Sequence, residues 1–149
     1  LEEGKNIHFI SGGSHQGKGA WVKETYHIEQ EHPSHWISIY QGEKLPSNIA
    51  TGDIMVLEHV EEWVYTAVKN MEVDVFRSHA KEVIQSWLAW EKINQCHLII
   101  IGSDISKGIV PMDPLERKWR DATGWFYQDL AKAAERVEII WYGIARKIK

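Results

Sequence analysis

The stretch best equipped for chemistry is Ser11-Gly12-Gly13-Ser14-His15-Gln16-Gly17-Lys18-Gly19. Gly12, four residues, then Gly17 and Lys18 follow the spacing of a phosphate-binding loop up to its last position. Glycines in such a loop let successive backbone N–H groups turn toward a phosphate chain, and the helix that follows adds its positive N-terminal end. Lys18 would then reach the terminal phosphates as a mobile point charge. Gly19 stands where the pattern has Ser or Thr to hold Mg²⁺, a change that weakens metal positioning more than phosphate binding. The candidate nucleotide-binding residues are therefore Gly12, Gly13, Ser14, His15, Gln16, Gly17, Lys18 and Gly19, with His15 read as a phosphate donor. The competing reading is a glycine-rich turn with no ligand. The order strand, loop, helix favours the phosphate loop.

A second candidate is Glu58, which closes the apolar run Asp53-Ile54-Met55-Val56-Leu57. A strand buried on both faces of a parallel sheet has this composition. Its carboxyl end is where open α/β sheets place their ligands, so Glu58 is a candidate contact for Mg²⁺ or nucleotide. The plainer alternative is a helix-capping or solvated carboxylate. A third group is the segment from His27 to Trp36, where His27, His32 and His35 surround Pro33. The proline disfavours a regular helix there, which leaves a loop carrying titratable groups.

These residues need a scaffold. Hydrophobic spacing predicts a strand at Ile7–Ile10, a helix from Lys18 to about Ile28, a strand over Trp36–Tyr40 and another over Gly52–Glu58. Helices are expected over Val60–Val68 and about Val73–Lys92, then a strand over Cys96–Ser103. Asp113 caps a long helix with Pro114 in its first turn, running to about Arg136. A last strand covers Val137–Ala145, followed by a basic tail. Alternating strands and helices imply an α/β fold, a parallel sheet with helices on both faces.

The chain has 149 residues, the length of a single domain with a sizeable core. Its 17 basic and 21 acidic residues give a net charge of −4, which offers no global attraction to nucleic acid or an anionic membrane, so any phosphate must be held by a local site. The single cysteine, Cys96, excludes a disulfide framework and every multi-cysteine metal motif, and reads as a small core residue. No apolar stretch suits a bilayer and the first residues do not read as a signal peptide, so a cytoplasmic protein is expected. Eight tryptophans are many for this length; some are expected at an interface or against a flat ligand.

The segment Gly108-Ile109-Val110-Pro111, with Pro114-Leu115, Arg117, Arg120-Asp121, Gly124, Gln128 and Leu130-Ala131, resembles the bifunctional adenosylcobinamide kinase and adenosylcobinamide-phosphate guanylyltransferase family of cobalamin biosynthesis. Ser11-Gly12-Gly13 with Gly17-Lys18, the strand end Val56-Leu57-Glu58, Trp63 and the ending Gly143-Ile144 with Lys147-Ile148-Lys149 match the same family. The resemblance implies a phosphate-loop NTPase-like α/β fold, a homotrimer, and GTP or ATP with Mg²⁺. It implies phosphorylation of adenosylcobinamide, then GMP transfer through a guanylated histidine. Neutral imidazole suits that role, because a phosphoramidate divides one hard transfer into two easier ones. Strict spacing puts Glu31 at the family's histidine position with His32 beside it, so His32 is the expected GMP carrier and His35 the alternative. The family's terminal Glu of that segment is Tyr40 here, and the region before it is shorter. The opposing reading is a nucleotide-binding protein that keeps the scaffold and acts through partners without turnover.

Overall fold

The computed structural model describes residues 6–28, 34–40, 42, 44–47, 49–105, 108–109 and 112–149. Five strands lie parallel in the order β2-β3-β4-β1-β5, and β6 pairs antiparallel with β5 at the edge. They are β1 (His8–Gly12), β2 (Ser34–Ser38), β3 (Ile54–Glu58), β4 (His97–Ser103), β5 (Arg136–Trp141) and β6 (Ile144–Lys147). The helices are α1 (Lys18–Thr25), α2 (Val60–Val68), α3 (Val73–Asn94) and α4 (Pro114–Ala133). Among the described residues no helix is long and apolar enough to cross a membrane.

Strand alternation divides the core in two. Phe9, Met55, Leu57, Leu98 and Ile100 face the three-helix side, where they meet Trp63 of α2, Phe76 and Trp87 of α3, and Phe126 of α4. Their neighbours Ile10, Val56, Ile99, Ile101 and Ile140 face the other side, where α1 supplies Val22. Helices thus lie on both faces, unequally: three on one and the eight-residue α1 on the other. Glycine is required where elements touch most closely. A Cβ on Gly102 would lie 2.5 Å from the Tyr127 hydroxyl, which donates to the Ser103 carbonyl at 2.6 Å. That contact fixes α4 against the exit of β4.

Several expected boundaries shift for physical reasons. Helix α1 stops at Thr25; Tyr26 and His27 turn, with His27 at φ 53, and Ile28 returns to the core. Strand β2 runs over Ser34–Ser38, two residues earlier than expected. Helix α4 starts as predicted, with the Asp113 carboxylate accepting from the Leu115 N–H at 3.0 Å, but ends at Ala133. The single last strand is instead a hairpin. Tyr142 and Gly143, at φ 52 and 76, make a two-residue turn between Trp141 and Ile144, and β6 joins the end of the expected strand, Ile144 and Ala145, to Arg146 and Lys147 of the expected tail. Cys96 is buried as expected, its thiol donating to the Ala50 carbonyl at 3.2 Å.

The candidate functional site

The carboxyl ends of β1, β3 and β4 converge on a cavity of about 370 Å³. Its lining includes Ser14, His15, Gly17, Lys18 and Gly19 from the glycine-rich loop, Glu58 and His59 from β3 and its exit, Glu61 of α2, and Ser103 of β4. Gly12 opens the loop at the end of β1, where a Cβ would lie 2.4 Å from the Ile140 carbonyl oxygen. Gly17 closes it at φ 92, immediately before α1. The first N–H groups of a helix have no intrahelical partner, so this end of α1 presents donors to an anion.

Lys18 is buried, with Nζ donating to the Gly13 carbonyl at 2.7 Å. Burial lowers its pKa, while the Glu61 carboxylate opposes that shift. The amine is therefore held within the loop. Ser14 and His15 are exposed along the cavity, and His15 takes a left-handed backbone at φ 60. Gln16 points elsewhere: its Oε1 accepts from the Tyr142 N–H at 2.6 Å and its carbonyl from the Gly143 N–H at 2.8 Å. Of the loop residues expected to meet nucleotide, Gly12, Gly13 and Gln16 thus shape the loop from outside the cavity lining.

Glu58 lies at the expected strand end, half-buried, and accepts from the Ser38 hydroxyl at 3.3 Å. Ser38 also bonds His59 Nδ1 at 2.9 Å, and the His59 ring stacks on Tyr40 with centroids 4.8 Å apart. Sequence reading missed this histidine, although it directly follows Glu58 at the strand's exit. It also missed Glu61. That residue is buried, and its Oε1 accepts from the Ser103 N–H at 3.0 Å while its carbonyl accepts from Trp119 Nε1 at 2.7 Å. The available signal was its place in the first turn of the helix after Glu58.

The histidines separate. His32 lies outside the described residues. His35 Nε2 is 3.0 Å from the Asp53 carboxylate, at the amino-terminal end of β3, and lies outside the cavity lining. The structure does not bring His35 to the loop. For Mg²⁺, Glu58 and Glu61 supply the hard oxygen chemistry the ion takes, usually from one or two carboxylates together with substrate phosphates. Gly19 supplies none. A Cβ there would lie 3.7 Å from Trp36, ordinary contact, so packing leaves room for a larger residue.

A strand, a glycine loop and a lysine opening a helix, with a carboxylate at the end of a nearby parallel strand, define a phosphate-loop NTPase-like α/β protein. The chain belongs to the cobinamide kinase / cobinamide phosphate guanyltransferase family (CobU), whose family model matches residues 2–148. It is also similar to the bifunctional adenosylcobalamin biosynthesis protein CobU of Escherichia coli (strain K12), with 26% identity over 144 residues, covering 83% of this chain and 75% of that protein. Membership places the chain in a cobalamin-biosynthesis family of kinase- and guanylyltransferase-like function.

Proposed function

We propose that this protein is a nucleotide-dependent transferase that phosphorylates adenosylcobinamide and transfers GMP to the product. GTP or ATP is held by the loop from Gly12 to Gly19. One observation carries the reading: buried Lys18 lines the same cavity as Glu58 and Glu61, at the carboxyl ends of the strands. Lysine and the helix end attract the phosphates, and Glu58 holds the Mg²⁺ that accompanies them. The metal, when bound, neutralises charge on the transferring phosphoryl group. The protein's own part is to position the chain of phosphates and keep Lys18 in place, since positioning supplies much of such a reaction's rate.

His32 is the proposed GMP carrier. His35 is the alternative, disfavoured because Asp53 holds it at the other end of the strand. The active assembly is proposed to be a homotrimer, with sedimentation at micromolar concentration expected to show three copies and a lone monomer contradicting it. Gly19 favours a second reading, a nucleotide-binding protein without turnover, because the loop lacks its metal-binding hydroxyl. Intact-mass measurement after incubation with GTP separates the two. The enzyme gains one guanylyl group, lost in His32→Asn and kept in His35→Asn. The reverse pattern moves the role to His35. Binding of GTP with no mass gain, and no phosphorylation of adenosylcobinamide, replaces the transferase with the binding protein.

A further inference from the structure

The loop separates two unlike flanks. On the cavity side stand carboxylates, Glu58 and Glu61. On the other side stands the tip of the β5–β6 hairpin, which carries Trp141 and Tyr142. Two hydrogen bonds fasten this tip to Gln16, from the N–H groups of Tyr142 and Gly143. A Cβ on Gly17 would lie 3.2 Å from the Gly143 Cα, so the two backbones are in close contact. The backbone of the hairpin tip is thus fastened to the loop whose residues would grip phosphate. A Cβ on Gly13 would lie 3.7 Å from the Trp141 ring, which places the indole against the loop itself.

The residue choice at the tip runs against local preference. A two-residue hairpin turn with both φ values positive favours Asn, Asp or Gly at its first position. Tyr142 occupies it at φ 52 and is 84% exposed, so neither turn geometry nor core packing calls for a tyrosine. Trp141 is 36% exposed. Large exposed aromatics on a strained turn, bonded to a phosphate loop, fit the flat apolar face of a nucleobase.

From this arrangement we infer that Trp141 and Tyr142 form the base-stacking subsite for the purine of the bound nucleoside triphosphate. The inference rests on the proposal that the loop holds the triphosphate, and it adds where the nucleoside goes. Stacking is tolerant of base identity because every base has a π-face, so this platform serves GTP and ATP alike. Discrimination between them has to come from groups at the base edges.

The test compares GTP and ATP with inorganic tripolyphosphate, which has the phosphates and no base, by calorimetric titration. Tyr142→Asn keeps a residue suited to the turn, Trp141→Val keeps a strand former, and Tyr142→Phe keeps the ring. Wild type is expected to bind the nucleotides more tightly than tripolyphosphate. Tyr142→Asn and Trp141→Val should each lose about 5- to 150-fold in nucleotide affinity, the range for stacking on one aromatic, with tripolyphosphate binding unchanged and Tyr142→Phe close to wild type. Nucleotide affinity unchanged in both loss variants overturns the subsite. So does an equal fall for nucleotide and tripolyphosphate, which would mean a damaged loop. If wild type binds neither probe, the phosphate-loop reading fails and the subsite falls with it.

Discussion

Replacing Gly19 with serine restores the one hydroxyl the loop lacks, and the structure allows its effects to be separated. Gly19 lies in the first turn of α1 and does not take a left-handed backbone, so an L-residue fits there without strain. The added Cβ would meet Trp36 carbons at 3.7 and 3.9 Å, both ordinary contacts. Packing therefore should not oppose the change, and leaving glycine in a helix gains about 0.5 kcal/mol. The larger effect is on metal. A hydroxyl at this point of a phosphate loop takes a place in the Mg²⁺ shell. At roughly 1.5–3 kcal/mol for an interaction with a charged group, affinity for the Mg²⁺–nucleotide complex should rise about 10- to 150-fold. The assay is titration of GTP into wild type and Gly19→Ser, each with Mg²⁺ and with EDTA. The gain should appear with Mg²⁺ and vanish with EDTA. An equal gain under both conditions, or none with Mg²⁺, refutes the placement of the metal beside Gly19 and Glu58.

Glu91 in α3 is buried, one oxygen accepting from the Leu98 N–H at 2.8 Å and the other without a partner among the described residues. Burial pushes its pKa up to about 8 from 4.5. The folded state therefore keeps a proton the unfolded chain releases, so its contribution is full below pH 4.5 and is lost as pH rises through 8. Urea unfolding from pH 5 to 8.5 should show Glu91→Gln gaining on wild type by a few kcal/mol with rising pH; parallel curves would contradict this. His8 has the opposite sign. Burial lowers its pKa more than the bonded Glu138 raises it, so its contribution is present above pH 6.5 and is lost as pH falls through the lowered value. In His8→Gln the loss of stability on acidification below pH 6.5 should be shallower than in wild type, and an unaltered slope would refute the assignment. Gly12→Ala would put a methyl 2.4 Å from the Ile140 carbonyl oxygen and should cost about 1–3 kcal/mol in chemical unfolding, with a cost near zero contradicting the close β1–β5 approach.

The order of elements was legible in the sequence because its signals were local. Apolar runs gave β3 and β4, Asp113 and Pro114 gave the start of α4, and the spacing from Gly12 to Lys18 gave the loop. The hairpin was not legible. Its turn is Tyr-Gly in place of the usual Asn-Gly or Asp-Gly, and apolar residues continue through it, so β5 and β6 read as one strand. The cavity's second layer was hidden for a different reason. Glu61 looks like an ordinary acidic residue in a helix's first turn, and only the fold brings the Ser103 N–H to its carboxylate and the Trp119 indole N–H to its backbone carbonyl. Ser38, Tyr40 and His59 meet through the pairing of β2 with β3, where Ser38 lies opposite Glu58. The tryptophans divided as the fold required: Trp63 and Trp87 fill the core, while Trp125 and Trp141 keep exposed faces.

The central claim is that Lys18 and the loop around it hold a nucleotide by its phosphates. Titration of GTP into wild type and Lys18→Ala tests it most directly, with circular dichroism confirming that both remain folded. Loss of a charge-assisted contact of roughly 1.5–3 kcal/mol predicts affinity about 10- to 150-fold weaker in the variant. GTP binding of equal strength to both proteins would contradict the claim.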